Sequence, residues 1–136
     1  MNRDLRIARS LLTLATALVV LWITLSPMTT HAATDAPADP ARGKQLFEKR
    51  CTGCHSLDAD EEGPHLRGVY GRKAGTAPGF SYSAAMKGSG ITWTPDKLGA
   101  YVTHPGAIVP GNRMAFAGIG NPEQVADVVA YLSTLK

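Results

Sequence analysis

The feature that most constrains this chain is the run Cys-Thr-Gly-Cys-His at positions 51–55, which contains both of its cysteines. Thiols three residues apart lie on one side of a helical turn. Both can therefore bond to one edge of a planar group, and the adjacent imidazole then lies beneath its centre. This is the pattern of covalent haem attachment. It predicts one haem c bound through Cys51 and Cys54, with His55 as an iron ligand.

Three other roles of a C-x-x-C pair fit this sequence less well. A thioredoxin-like dithiol belongs in a βαβ context, and no such pattern is visible. A zinc site usually needs four ligands, and no second C-x-x-C or His pair follows. A disulfide across so short a loop restrains little of the unfolded chain.

The N-terminal segment has the pattern of an export signal. Three arginines within the first ten residues precede an uncharged run from Leu11 to Leu25, and a Thr-His-Ala sequence ends at Ala32. A membrane-spanning helix needs about 20 apolar residues, which is longer than this run. We therefore expect cleavage after Ala32 or Ala33 and location in the periplasm. The alternative is an uncleaved anchor over residues 7–28, with the domain facing the periplasm.

These boundaries give a signal peptide over 1–32, a flexible lead-in over 33–38 and one domain over 39–136. The full chain has a formal charge of +3. Removal of residues 1–32 lowers Lys plus Arg from 14 to 11 and Asp plus Glu from 11 to 10, so the remaining charge is +1. A nucleic-acid-binding domain normally has a basic stripe. The near-neutral domain argues against that class.

Three predicted helix starts share a capping residue followed by proline, at Asp39-Pro40, Thr94-Pro95 and Asn121-Pro122. The segments over 62–79 and 105–120 are rich in Gly and Pro and show no alternating strand pattern. Long loops in a small domain usually wrap something. The sequence predicts an all-α fold with main helices over about 40–50, 95–104 and 122–136, and a short one over 83–87.

A six-coordinate haem iron needs a second axial ligand. Met114 lies in Pro-Gly-Asn-Arg-Met-Ala-Phe (110–116), a loop stiffened by proline and turned by glycine, which can direct a thioether at iron. Met86 falls in the predicted short helix and is interpreted as packing, because methionine is more often a gap-filler than a ligand. The complete set of candidates is His31, His65, His104, Met28, Met86 and Met114.

Several motifs in order resemble the mitochondrial-like branch of class I c-type cytochromes. Beyond 43–47 and 51–55, the matching runs are G-P-H-L-R-G-V-Y-G-R-K-A-G (63–75), A-P-G-F-S-Y (77–82), G-I-T-W (90–93) and P-G-N-R-M-A-F-A-G-I (110–119). The resemblance covers nearly the whole domain. It implies a small cytochrome c fold with long loops wrapped around one covalent haem.

The resemblance also implies individual roles. Met114 is then the second axial ligand, the Pro64 carbonyl accepts the proton on the outer nitrogen of His55, and the Tyr101 hydroxyl lies near the Met114 sulfur. Three side chains are implied to bind or screen the haem propionates: Arg72, Tyr82 and Trp93. Three more are implied to pack where the first and last helices cross: Gly43, Phe47 and Tyr131.

Two residues on the Met114 side depart from the family pattern. Met86 stands where Asn is common, and Asn112 stands where Thr is common. Both should alter the hydrogen bonds near Met114. The acidic run between His55 and Gly63 is short, and we interpret it as a solvated turn rather than a metal site.

The function implied is one-electron transport, not catalysis. The expected partners are redox proteins such as a quinol–cytochrome c reductase and an oxidase, reaction centre or dehydrogenase, and we expect a monomer that contacts the membrane only if the N-terminal segment is uncleaved. Relatives surround the haem edge with lysines, whereas the basic candidates here are Arg50, Arg113, Lys49 and Lys87. The alternatives are an enzyme or sensor with an open haem position, and a thiol–disulfide oxidoreductase.

Overall fold

The structure, a computed structural model, describes residues 37–136. The predicted signal peptide over 1–32, its alternative as an anchor, and most of the lead-in over 33–38 lie outside the described residues. The predicted domain over 39–136 lies within them.

Five helices form the described part of the chain, which contains no strand apart from an isolated bridge between Lys73 and Thr92. This confirms the all-α prediction. In chain order the helices are α1 (Pro40–Arg50), α2 (Ala84–Gly88), α3 (Pro95–Thr103), α4 (Pro105–Ile108) and α5 (Pro122–Thr134).

Helix α4 was not predicted, so there are two short helices rather than one. Pro105 discourages continuation of α3, and His104 caps the end of that helix. The same proline then occupies the first position of α4, where its missing N–H costs nothing.

The three main helices begin as their capping residues predict. The Asp39 carboxylate accepts a hydrogen bond from the backbone N–H of Ala41, at 2.8 Å. The equivalent bonds at α3 and α5 run from Lys97 N to Thr94 Oγ1 and from Gln124 N to Asn121 Oδ1. Each bond satisfies one of the backbone donors that a helix start leaves unpaired.

Helices α1 and α5 cross with their backbones very close together. A Cβ built on Gly43 would lie 2.0 Å from the backbone oxygen of Asp127 and 2.9 Å from Tyr131 Cβ. One turn further along α1, the Phe47 and Tyr131 rings pack at a centroid distance of 5.3 Å. The expected packing of Gly43 and Phe47 on Tyr131 is therefore observed, and glycine is what permits it.

A partly buried ion pair joins the same two helices. The Asp127 side chain is 8% exposed and accepts hydrogen bonds from Arg42 Nε at 2.7 Å and Arg42 Nη2 at 2.8 Å. Its Oδ1 also accepts the backbone N–H of Asp39, at 2.6 Å. The Arg42 hydrogen bond, followed by that from Asp39, lowers the pKa of the Asp127 carboxyl below its ordinary value of 3.8.

We expect Asp127→Asn to destabilise the holoprotein at pH 7 by about 1–2 kcal/mol, because it removes the charge from this network. Since the folded pKa is lowered, the stabilisation is present above pH 3.8 and is lost as the pH falls through the folded pKa. Denaturant unfolding at pH values from 7 to 3 should show that the variant loses less stability on acidification than the unmodified protein. The control is Asp58→Asn, whose exposed pair with Arg67 should contribute little. Equal effects of the two variants would contradict this prediction.

The longest described helix is α5, with 13 residues. Within residues 37–136, no helix has both the length and the apolar character needed to cross a membrane.

Candidate functional site

A cavity of about 560 Å³ lies inside the helices and loops, within the range of about 300–1,000 Å³ typical of ligand sites. Its wall is mainly apolar, with side chains from α3, α5 and the connecting loops, including Leu66, Val69, Leu98, Val102, Ile119, Val128 and Leu132. Four residues predicted to bind the haem or its iron also line it: Cys51, Cys54, His55 and Met114. The structure thus brings together groups that are 63 positions apart in sequence.

The attachment motif forms a helical turn directly after α1. Cys51 N donates to Phe47 O at 2.8 Å, and His55 N donates to Cys51 O at 2.9 Å. These bonds continue the coil of the helix through the motif, so the two thiols and the imidazole reach one cavity wall. The local geometry is the one assumed in the sequence analysis.

The His55 ring is held by a loop that passes against its face. His55 Nδ1 lies 2.8 Å from the Pro64 carbonyl oxygen, and because a carbonyl only accepts, this nitrogen carries the proton. The other ring nitrogen is then free to donate its lone pair to a metal. A Cβ on Gly63 would lie only 2.4 Å from His55 Cε1. Gly63 is thus a site residue that the sequence analysis missed, and only its place beside Pro64 hinted at this role.

The cysteines are not joined by a disulfide. Burial raises the pKa of the Cys51 thiol to about 11, whereas reactive redox thiols have a lowered pKa. Cys54 is exposed, with its sulfur 3.8 Å from Glu62 Oε2. The buried Cys51 thiol therefore lacks the lowered pKa of a reactive redox thiol.

Met114 is partly buried in the loop that precedes α5. Gly111 has a φ of +84°, a conformation that favours glycine and gives the loop its sharp turn. Met86 is 8% exposed and belongs to the core cluster, and it also lines the cavity. Two methionines therefore line the cavity, one from a loop and one from α2.

Arg72, Tyr82 and Trp93 also line the cavity. Arg72 and Trp93 are adjacent, since Trp93 N donates to Arg72 O at 2.9 Å. The Arg72 guanidinium donates to the carbonyls of His65 and Arg67 at 2.9 and 3.2 Å. It is thus fixed at the cavity edge by backbone groups.

Tyr101 is buried on α3 and lines the same cavity as Met114. Its ring packs on Trp93 at a centroid distance of 4.9 Å. Burial raises the pKa of its phenol to about 12, so the hydroxyl keeps its proton at neutral pH and remains a hydrogen-bond donor.

The acidic turn lies at the surface, and two of its carboxylates also form pairs. Asp60 Oδ1 accepts bonds from His65 Nδ1 at 2.7 Å and His65 N at 2.8 Å. Asp58 pairs with Arg67. Within the described residues, no cluster of three or more His, Cys, Asp or Glu side chains forms a metal site.

The chemistry of the cavity fits a haem. It combines two thiols on one helical turn, an imidazole with one free nitrogen, a thioether and a mainly apolar wall. The absence of a Cβ at Gly63 leaves room for the His55 ring in its bonded orientation. Cys51, Cys54, His55 and Met114 are the residues that would hold the group.

Comparisons with known proteins agree with this chemistry. The family model described as Cytochrome c matches residues 40–136. The cytochrome c2 of Rhodopila globiformis is 48% identical over 102 residues, covering 74% of this chain and 96% of that protein. That of Rhodomicrobium vannielii is 45% identical over 106 residues, covering 76% and 84%. The solved structure of cytochrome cH from Methylobacterium extorquens superposes with a TM-score of 0.69 at 42% identity, covering 71% and 99%.

The family match spans the attachment motif and every helix described above. The chain therefore belongs to the cytochrome c family, as a class I monohaem c-type cytochrome that carries electrons in a respiratory or photosynthetic chain.

Proposed function

We propose that this chain is a His55/Met114-ligated electron carrier of the periplasm. The observation that supports this proposal is the cavity wall, which His55 reaches from the turn after α1 and Met114 from the loop before α5. Ligation from both ends of the domain would leave no iron position for a substrate. The chain would then transfer electrons without catalysing a further reaction.

When bound, the haem supplies a one-electron iron couple. The chain's own residues set the conditions for its use. Pro64 fixes the His55 tautomer, and the apolar wall excludes water and disfavours the more positive oxidised centre. The apolar wall thereby raises the reduction potential of the iron, and Met/His ligation raises it further. Arg72, Tyr82 and Trp93 are proposed to bind or screen the propionates, and the Tyr101 hydroxyl is proposed to lie near the Met114 sulfur.

We propose that the donor is a membrane quinol–cytochrome c reductase and the acceptor an oxidase, reaction centre or dehydrogenase. Two observations bear on how such partners dock. Arg50 and Arg113 line the cavity, but Arg113 also donates to the Ser81 carbonyl. Helix α4 presents Gly106, Ala107 and a 38% exposed Ile108, and no lysine. This composition supports docking through a largely uncharged rim.

Electron transfer to a partner oxidase should therefore depend weakly on salt. Raising the ionic strength from about 50 to 200 mM should lower the second-order rate constant by less than about threefold, because little long-range steering is lost. Stopped-flow oxidation of the reduced protein measures this rate. Ala107→Lys should raise the rate at low salt and steepen its salt dependence. A steep collapse with the unmodified protein would contradict the prediction.

The ligation is tested with the holoprotein as purified. The oxidised form should show the weak iron–methionine charge-transfer band, and the reduced form should not bind carbon monoxide rapidly. Rapid binding would favour an open-site enzyme or sensor.

Free-thiol titration after unfolding should find no reactive cysteine, since thioether-linked sulfurs do not react. Mass spectrometry adds a test of export, because an intact Met1 or Asn2 terminus would exclude cleavage.

A further inference from the structure

The Asn112 side chain ties the Met114 loop to helix α4. Its Oδ1 accepts the backbone N–H of Met114 at 2.8 Å. Its Nδ2 donates to two carbonyls of the α4 segment, Val109 O at 2.8 Å and Pro105 O at 3.1 Å. The backbone N–H of Asn112 adds a bond to Val109 O at 3.0 Å. One side chain thus connects the first residue of α4, its C-cap and Met114.

These bonds need the particular donor set of an amide. A carboxamide has two N–H donors and a carbonyl acceptor, so it can serve all three partners at once. A threonine hydroxyl has one donor and could serve Met114 N and only one of the two carbonyls. Both donors and the acceptor of the amide are therefore bonded to backbone atoms, two on the α4 segment and one at Met114.

This arrangement anchors the Met114 loop to one of two helices that pack against each other. Helix α4 follows α3 directly and packs against it, and α3 contributes Leu98, Tyr101 and Val102 to the cavity wall. Val109, where the amide is bonded, is 3% exposed. The Met114 backbone is thereby fixed to α4, which packs against a helix that lines the cavity.

We propose that Asn112 is a positioning residue that holds Met114 on the iron, by fixing the Met114 backbone to α4. The inference rests on the His55/Met114 ligation proposed above. A ligand that competes for the iron must displace the Met114 sulfur and move its loop. The bonds of Asn112 oppose that movement, so their loss favours the competitor.

Imidazole titration of the oxidised holoprotein tests this role. Loss of the iron–methionine charge-transfer band reports displacement of Met114. Asn112→Ala should bind imidazole about tenfold more tightly than the unmodified protein, because three side-chain hydrogen bonds are lost. Asn112→Thr, which can retain two of them, should give an intermediate affinity.

The matched control is Asn121→Ala, which removes the cap of α5 and lowers overall stability, since the Asn121 side chain bonds Gln124 N rather than Met114. Its imidazole affinity should equal that of the unmodified protein. Equal tightening in Asn112→Ala and Asn121→Ala would overturn the positioning role, as would unchanged affinity in Asn112→Ala. If the unmodified protein lacks the band, the Met114 ligation fails and this inference fails with it. A normal band in the unmodified protein together with an unchanged imidazole affinity in Asn112→Ala would refute the role of Asn112 but not the Met114 ligation.

Discussion

Replacing Met114 by alanine should abolish the iron–methionine charge-transfer band and lower the reduction potential by about 100 mV or more, because the soft thioether that favours the reduced iron is lost. The same change should let carbon monoxide bind rapidly to the reduced protein. Optical spectra, potentiometric titration and flash photolysis measure the three effects. Together they distinguish a closed carrier from a haem protein with an open position.

Two variants separate the ligand from its surroundings. Met114→His should keep the sixth position closed to carbon monoxide but still lower the potential, since it supplies a second nitrogen ligand. Met86→Leu removes the other thioether that lines the cavity and should keep the band. A band that survives in Met114→Ala and disappears in Met86→Leu would assign the ligand to α2 and refute the proposal.

The parts of the fold that the sequence predicted are those set by local interactions. Asp39, Thr94 and Asn121 each cap a helix by bonding a backbone N–H two or three residues away, so a short stretch of sequence contains both partners. The attachment motif is local for the same reason. Its helical turn follows from the bonds that continue α1.

Helix α4 could not be predicted on that basis. It is four residues long and has no side-chain cap at its start, and an isolated helix of that length is not stable in water. The carbonyls of Pro105 and Val109 are instead bonded by the Asn112 amide, from outside the helix. The support becomes apparent only when the loop is folded back onto α4.

Contacts between the two ends of the domain could not be predicted from local sequence either. Asp127 falls among apolar residues in the α5 pattern, and nothing nearby in sequence indicates its partners. They are Asp39 and Arg42, which lie 88 and 85 positions earlier. For Gly43 and Pro64, by contrast, the resemblance to a known family supplied expectations that spacing alone does not provide.

Gly43→Ala should destabilise the holoprotein by about 3 kcal/mol or more. The new methyl group would lie 2.0 Å from the backbone oxygen of Asp127, and a backbone atom cannot move aside as a flexible side chain can. Helices α1 and α5 must separate, which loosens the Phe47–Tyr131 contact and stretches the Arg42–Asp127 pair. Denaturant unfolding followed by circular dichroism should show a lower midpoint with an unchanged slope.

Gly99→Ala provides the matched control, because Gly99 is also a glycine inside a main helix. Its added Cβ would meet Val125 Cγ1 at 3.5 Å, an ordinary contact distance. This change should be neutral or stabilise by up to about 1 kcal/mol, since alanine loses less backbone entropy on folding. Similar losses in the two variants would show that any methyl group in these helices is harmful. A loss confined to Gly43 would show that the stability of the domain depends on the close approach of α1 and α5 at this crossing.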